Sequence, residues 1–565
     1  MSRDRTSDRE GFRILIVGGV AGGATCAARA RRLSEKAEIV VFERGSYVSF
    51  ANCGLPYYVG DVITEEKNLI VATPELFRER FNIEVRTQSD VVSIDRGNRQ
   101  IEVQDLKTST VYREKYDALV LAPGATPIRP PLPGIDLPGI YSLRTIPDSR
   151  EIRNWIVKAD ARKAVIVGGG FVGLEMTENL VRRGIAVTII ERQNHVMPAL
   201  DYEMTTPIHH HLGAQGVALH LDDGVTGFEQ DEARHLTVNT NSGRTFAADL
   251  VILAIGVRPE VGLARDAGLE IGERGGIRVD DRMKTGDDHI WAVGDAVEVR
   301  DFMTGEWTTL ALAGPANRQA RTAAGTILGR DFTFRGVQGT AICGVFGMTI
   351  ASTGITENTL MRLDKSGTHI DYDKVYLYPG HHAGYYPGAS QIAMKLIFST
   401  KDGRVLGAQA VGREGVDKRI DAISAAIQNG ATVFDLEEAE LCYAPQYGAA
   451  KDPVNIAGMI AANALRGDAP LAHWEDIEKS DALILDVRTE KEYMAGHIDG
   501  AVNIPLDELR SRMQELPSDR EIWTYCNVGH RSYYASRALR LNGFEARNLS
   551  GGMQTYRNRA AYQAR

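Results

Sequence analysis

Two cysteines stand where a thiol could do chemistry. Cys53 lies in SFANCGLPYYVG (49–60), and no second cysteine follows four or five residues on. A single thiol cannot close a disulfide with a near neighbour, so a redox cycle through Cys53 has to store its second sulfur on a small-molecule partner. Cys526 lies in CNVGHRS (526–532), after the apolar run IWTY. A cysteine that ends a strand and opens a helix through Asn527, Val528, Gly529, His530 and Arg531 meets converging backbone N–H groups and the helix dipole, while Arg531 adds a cation. That setting favours a thiolate or a persulfide. Cys26, Cys343 and Cys442 complete an odd, scattered set of five without C-x-x-C spacing, which indicates neither a disulfide framework nor a zinc site. His209, His210 and His211 are consecutive and so point in different directions on a helix, and no metal site is expected there.

The elements that position Cys53 are legible. RILIVG (13–18) reads as a buried strand, Gly18, Gly19, Gly22 and Gly23 make a tight turn, 24–33 reads as a helix, and EIVVFE returns as a strand ending at Glu43. This is a βαβ dinucleotide fingerprint, with Val20 where the middle glycine of G-x-G-x-x-G belongs. KAVIVGGGFVGLE (163–175) repeats it in full register through Gly168, Gly170 and Gly173, and VTIIE ends at Glu191. In each copy the glycines admit a pyrophosphate to the helix N-terminus, and the acid accepts hydrogen bonds from an adenosine ribose. Two dinucleotides are therefore expected. LAPGATP (121–127) follows the first copy, LAIGVRP (253–259) with Gly256 follows the second, and IWAVGD supplies Asp295 at a strand end. Glu191 predicts NADH rather than NADPH, with Arg192 beside it as the opposing charge.

Beyond residue 330, FRGVQGTAICGVFGMTIASTG, KVYLYPGHHAGYYPG and QIAMKLIFST alternate apolar and polar residues as antiparallel strands do, and helices are predicted around 416–429 and 432–441. ANALRGDAPLAHW (463–474) marks a boundary. After it LILDVRTEKEYMAGHIDGAVNIP (483–505) and IWTYCNVGHRSYYASRALRLNGF (522–544) begin a second, small α/β domain.

From about Arg13 to Gly467 these residues resemble the two-dinucleotide flavin disulfide reductases, and SFANCGLPYYVG points within them to the coenzyme A disulfide reductases. The tail resembles a rhodanese by DVR, EYxxGHIxGAxNIP and CxxGxRS, although rhodanese loops often carry a basic residue where this chain has Asn527. The implied fold is α/β: two Rossmann-like dinucleotide-binding domains, an α+β dimerisation domain and a C-terminal α/β rhodanese domain. The implied boundaries are 12–150 and 271–330 for an FAD domain, 151–270 for an NAD(P) domain, 331–465 for dimerisation, 466–474 for a linker and 475–565 for the rhodanese. FAD would be held by Gly18, Gly19, Ala21, Gly22, Gly23, Glu43, Arg44, Asp295 and Ala313, and the nicotinamide nucleotide by Gly168, Gly170, Gly173, Glu191 and Gly256. Coenzyme A would meet Thr25, Arg29, Arg32, Ser49, Phe50, Asn52, Arg80 and Lys451, although the family often has Lys at the position aligned with Phe81. Arg29 and Arg32, three apart, share a helix face and can meet phosphates. Tyr385 and Tyr443 match tyrosines that the family's interface domain sends into the partner's active site, where a phenol can protonate a leaving thiolate; Tyr386 and Tyr447 are neighbouring candidates.

A chain of 565 residues exceeds one core, in line with several domains. With 65 basic against 74 acidic residues the net charge is −9, which argues against nucleic-acid binding as the main task. No apolar run reaches the roughly 18 residues of a membrane span. The start, MSRDRTSDREGF, lacks the apolar core of a secretory signal, so a cytoplasmic location is expected, and the resemblance of the interface domain implies a homodimer. The residues favour an NAD(P)H-dependent reductase of coenzyme A persulfide or polysulfide that releases hydrogen sulfide. A plain coenzyme A disulfide reductase and an NADH oxidase or peroxidase are the alternatives, and neither has an obvious use for a sulfur-carrying tail.

Overall fold

A computed structural model describes residues 11–232 and 235–563. The chain forms two compact units, Met1–Arg192 with Asp223–Gln338, and Gln193–Asp222 with Gly339–Arg565.

In the first unit, β1 (Arg13–Val17), α1 (Ala21–Arg31) and β2 (Glu38–Glu43) form the first βαβ turn. The short helix α2 (Leu55–Val59) follows Cys53, then β3 (Glu84–Thr87) and β4 (Ala118–Leu121). β5 (Ile140–Tyr141) leads to the second copy, β6 (Lys163–Val167), α3 (Phe171–Arg182) and β7 (Ala186–Ile190), and β8 (Leu250–Leu253) closes it. β9 (Ile290–Ala292) and α4 (Ala313–Ile327) return to the first sheet. That sheet has the order β9-β4-β1-β2-β3, and the second runs β7-β6-β8-β5; every pairing among these strands is parallel. Strands such as RILIV and KAVIV are apolar nearly throughout because helices or loops cover both faces of a parallel sheet. α1 begins at Ala21, three residues before the expected start, because Gly22 and Gly23 are already helical.

In the second unit, β10 (Ala341–Val345), β11 (Met348–Gly354), β12 (Tyr372–Leu377), β13 (Ala393–Ser399) and β14 (Val405–Gly412) form an antiparallel sheet of order β10-β11-β14-β13-β12. α5 (Val416–Gln428), α6 (Val433–Glu437) and α7 (Pro453–Leu465) follow. α6 is shorter than the 432–441 expected from sequence. Asn455 of α7 donates to the carbonyls of Leu436 (3.1 Å) and Ala439 (2.8 Å), so the chain leaving α6 is satisfied by a side chain instead of another helical turn. The tail adds β15 (Leu471–Ala472), β16 (Leu483–Asp486), β17 (Val502–Asn503), β18 (Ile522–Tyr525), α8 (His530–Leu541), β19 (Ala546–Leu549) and α9 (Gly552–Gln563). Its parallel sheet runs β15-β19-β18-β16-β17, so residues 471–472, inside the stretch expected as a linker, already pair with the last strand.

A buried ion network lies beneath the antiparallel sheet. Lys395 on β13 is 0% exposed, and its ammonium reaches Asp201 (2.7 Å), Glu203 (2.6 Å) and Glu357. Lys374 on β12 pairs with Glu357 (2.5 Å) and with Glu475 of the tail, and His473 reaches Asp373 at 2.6 Å. The three carboxylates around Lys395 could by themselves hold a metal ion; the lysine occupies the space between them. No helix among the described residues is long and apolar enough to cross a membrane.

Burial alone would raise Glu203, but Lys395 beside it holds the carboxyl down at about 2. Glu357, also buried, is held well below the usual range by Lys395 and Lys374. Depressed carboxylates stabilise the fold above their unfolded value near 4.3 and lose that contribution as pH falls towards the folded value. Lys395→Met is therefore expected to destabilise the second unit by about 3–5 kcal/mol at neutral pH. The deficit should shrink as pH falls from neutral towards about 4 and below, because the buried carboxylates, raised once the ammonium is gone, protonate above their unfolded value. Urea unfolding of both proteins across this range checks it; a deficit independent of pH would contradict the network.

Candidate active sites

Both phosphate turns carry the same close contacts. A Cβ on Gly18 (φ +95°) would lie 2.1 Å from the Ala122 carbonyl oxygen, and one on Gly23 would lie 1.8 Å from that of Gly18. The equivalents at Gly168 (φ +106°) and Gly173 are 2.5 Å and 2.1 Å. Val20 and Gly170 both have negative φ (−99° and −81°), so the valine imposes no backbone strain at the middle position. Glu43 accepts from the Gly19 N–H (2.8 Å), and Glu191 accepts from the Gly169 N–H (2.7 Å). No side chain caps α1 or α3 and neither has an acid in its first turn, which leaves their N-terminal N–H groups to an anionic ligand. These turns fit two dinucleotides. Ala21 opens α1 and Ala313 opens α4, while Gly256 adopts φ +105°. Arg44 pairs with Asp90 at the surface, 3.1 Å away.

Cys53 is exposed, in a single 3-10 turn (Asn52–Gly54) that leads into α2. The Ser49 N–H donates to the Gly19 carbonyl (2.8 Å), which lays this segment over the first phosphate turn, and Ser49 itself sits at φ +46°. Phe50 bridges to Ile70. Asn52 donates to the Arg144 carbonyl (3.1 Å), and the Arg144 guanidinium is 3.5 Å from Asp295. Tyr57 on α2 donates to Glu175 on α3 (3.3 Å). Partial burial, followed by Glu175 and Asp295, pushes the Cys53 thiol up, against its own backbone N–H and Arg144. Burial likewise raises Glu175 and Asp295.

Near the end of α1, Thr25 donates to Asn317 of α4 (2.5 Å), and Arg29 faces Arg321, Arg32 and Arg330. Burial and then these like charges lower Arg29, whose Nε is buried without a partner among the described residues. Arg80 is exposed at the end of the helix Pro74–Phe81.

In the second unit, the hydroxyls of Tyr385 and Tyr443 are 2.8 Å apart on exposed loops, and this hydrogen bond raises Tyr385. Buried Arg419 ties the two loops together: it pairs with Asp452 (2.7 Å) and donates to the His381 carbonyl (2.8 Å), while the Ala383 N–H donates to Gly448 (2.8 Å). Tyr386 packs edge-on against His382, Tyr447 is exposed, and Lys451 is exposed beside Asp452. The histidine run forms no cluster: the Val196 N–H donates to His209, and His211 contacts the Phe346 carbonyl.

In the tail, Cys526 follows β18 and is 1% exposed, and Gly529 (φ +91°) caps α8. Ser532 donates to the Cys526 sulfur at 3.5 Å. Arg531 is not a lone cation as the sequence suggests, because it forms a bidentate pair with Glu492 (2.7 and 2.8 Å) while also facing Cys526. That guanidinium holds Glu492 down at about 2.

Residues 12–320 match the pyridine nucleotide-disulphide oxidoreductase family, 340–452 its dimerisation domain, and 470–559 the rhodanese-like domain. The coenzyme A disulfide reductase of Staphylococcus haemolyticus is 35% identical over 447 residues, 79% of this chain and 98% of that protein. The chain belongs to the pyridine nucleotide-disulphide oxidoreductase family. Among solved structures, the reduced CoADR-RHD of Bacillus anthracis is 45% identical with a TM-score of 0.94, over 97% of this chain and 98% of that one. A NAD-dependent persulfide reductase from A. fulgidus is 37% identical with a TM-score of 0.89, over 96% and 100%. The chain is thus an FAD-dependent pyridine nucleotide oxidoreductase with a rhodanese-like domain.

For this family member the sequence did not single out Arg144, Glu175, Glu492 or Ser532. Signals existed: Glu175 ends GGGFVGLE, and T-I-P-D (145–148) is a capping box that fixes the backbone next to Arg144. The Glu191 carboxylate, buried against the second phosphate turn, would repel a 2′-phosphate. kcat/KM with NADH should exceed that with NADPH by at least about tenfold, or 1.4 kcal/mol, and Glu191→Ala should narrow the gap. Equal efficiency in steady-state assays would show that exposed Arg192, instead of Glu191, faces the adenosine.

Proposed function

We propose that this chain is an NADH-dependent reductase of coenzyme A persulfide, polysulfide and related sulfane sulfur that releases hydrogen sulfide and works as a cytoplasmic homodimer. One observation carries the reading: a flavoprotein whose exposed Cys53 has no second cysteine four or five residues on shares its chain with Cys526 in a rhodanese-like loop. The persulfide reductase activity named for the A. fulgidus relative supports it, and the coenzyme A disulfide reductase named for the staphylococcal relative supplies the thiol partner.

The Cys53 thiolate attacks the inner sulfur of coenzyme A persulfide, forming a Cys53–coenzyme A mixed disulfide and expelling hydrosulfide. Held at the first turn by Gly18, Gly23 and Glu43, FAD would supply two-electron transfer between NADH and that disulfide. Cleavage returns the Cys53 thiolate and coenzyme A thiolate, with NAD+ and one proton from NADH. The Tyr385–Tyr443 pair, supplied by the partner subunit, would protonate the departing thiolate. Arg29 and Arg32 carry charge suited to the phosphates of coenzyme A, while Arg80 and Lys451 are further exposed cations. Cys526, in its Ser532 and Arg531 setting, receives sulfane sulfur that is not yet on coenzyme A.

Cys53→Ser should keep flavin and lose more than about nine-tenths of turnover with both disulfide and persulfide, a barrier increase above about 1.4 kcal/mol. Cys526→Ala should spare coenzyme A persulfide, which can reach Cys53 unaided, and impair polysulfide. Hydrosulfide release from both substrates in both variants is the measurement. If Cys526→Ala silenced the coenzyme A persulfide reaction as fully as Cys53→Ser, the cysteines would belong to one shared step.

A further inference from the structure

A sulfur nucleophile has to be anionic to attack, yet most of what faces Cys53 opposes a negative charge. The charged groups that act on it include Glu175 from α3, Asp295 from the segment after β9, and Arg144 from the segment before the helix Ile146–Lys158. Two are carboxylates. Arg144 is a cation that acts on this thiol in the opposite sense.

The attachment of Arg144 is unusually complete for an irregular segment. Its carbonyl accepts from Asn52 (3.1 Å), the residue directly before Cys53, and its N–H donates to Asp148 (3.0 Å). Asp148 also accepts from the Thr145 N–H (2.8 Å), closing a capping box on the next residue. The main chain on both sides of the guanidinium is therefore clamped, on one side to the turn that carries the redox sulfur. Gly124 (φ +79°) completes the seat, since a Cβ there would lie 2.7 Å from Arg144 Nη2. The guanidinium makes one long contact to a carboxylate, 3.5 Å to Asp295, far looser than the 2.6–2.8 Å pairs of Arg86 or Arg531. A cation held this firmly by its backbone and this weakly by its acid has most of its charge available.

We propose that Arg144 is the counter-ion of the Cys53 thiolate, seated by Asn52, Asp148 and Gly124 so that the sulfur can lose its proton and leave the mixed disulfide as an anion beside two carboxylates. The proposal rests on the reading of Cys53 as the redox sulfur and deepens it. The step it serves is Cys53–SH to Cys53–S⁻ plus a proton released to solvent, with no electron transferred.

The test uses the full-length, flavin-bound protein, freed of any adduct by dithiothreitol and desalted. Iodoacetamide labelling of Cys53 is followed by peptide mass spectrometry across about pH 6 to 10, around the ordinary thiol value of about 8.5. Arg144→Gln should move the labelling midpoint up by about one pH unit or more, slowing labelling about tenfold at pH 7. Arg144→Lys should move it less, and Glu175→Gln should move it down. A midpoint unchanged in Arg144→Gln at equal flavin content overturns the proposal. So does flavin loss with an unchanged midpoint in the molecules that retain flavin, which would assign Arg144 to the cofactor through Asp295. If Arg144→Gln does not fold, Gly124→Ala displaces the guanidinium instead; the same upward shift is expected, and an unshifted midpoint again overturns the assignment. Labelling needs no turnover, so failure here is distinct from failure of the Cys53 reading, which would show as catalysis surviving in Cys53→Ser.

Discussion

The contact of Gly23 on Gly18 sets the geometry of the first unit. With under 2 Å between a would-be Cβ and the Gly18 carbonyl oxygen, no side chain fits, and the chain turns from β1 into α1 with its N–H groups bare. The consequences run outward from that turn. The Gly19 N–H donates to the Glu43 carboxylate, and the Gly19 carbonyl accepts from the Ser49 N–H, so one residue orients both the acid that ends β2 and the stretch of chain that carries Cys53. Cys53 is placed by the glycine turn. The second copy repeats the Gly173–Gly168 contact and the Gly169–Glu191 bond, and α3, which starts there, presents Glu175 to Tyr57, four residues after Cys53. Two copies of one local solution thus connect to the segment that carries Cys53, one at Ser49 and one at Tyr57.

The second unit is organised by charge instead of glycine. Burying the Lys395 ammonium is tolerable only because Asp201, Glu203 and Glu357 surround it, and burying three carboxylates is tolerable only because the ammonium and Lys374 sit among them. Apolar groups of the same volume would cost less. What the network adds is specificity: its members come from the helix Tyr202–Ala214, from β12 and β13, and through Glu475 from the first residues of the tail, so only one arrangement of these segments satisfies them all. Arg419 does the same on a smaller scale, since Asp452 and the His381 carbonyl belong to the two loops that bring the phenols of Tyr385 and Tyr443 together.

What was legible in the sequence was what is local. The glycine turns, the acids that bond to them and both loop cysteines announce themselves within about a dozen residues, because the spacing of glycines and acids in a βαβ unit is set by the helix start itself. What was not legible depends on distant partners. Arg144 and Asn52 are 92 positions apart, and Glu175 and Tyr57 are 118 apart. Arg531 reads as a lone cation until Glu492, 39 residues earlier, is found against it. The 432–441 helix fails for the same reason: Asn455, on another helix, supplies the hydrogen bonds that a further turn would have made. The fold class needed only periodicity and turns, whereas the electrostatics of the sites needed tertiary pairs.

The two sulfurs are built for different tasks by those pairs. Cys53 is exposed, so a large thiol such as coenzyme A can reach it, and its environment mixes carboxylates with one guanidinium. A sulfur in that setting is not held permanently as a thiolate, which suits a cycle in which it alternates between attacking and being released. Cys526 is buried, takes a hydroxyl from Ser532, and shares Arg531 with Glu492. Its seat admits compact sulfur more readily than a bulky thiol and offers hydrogen bonds without any source of electrons. Under the proposed cycle this difference divides the labour: the buried cysteine accepts and holds sulfane sulfur, the exposed one spends the electron pair. In that cycle coenzyme A would link the two steps chemically, because it is large enough to be recognised by charge and ends in a thiol small enough to carry one extra sulfur.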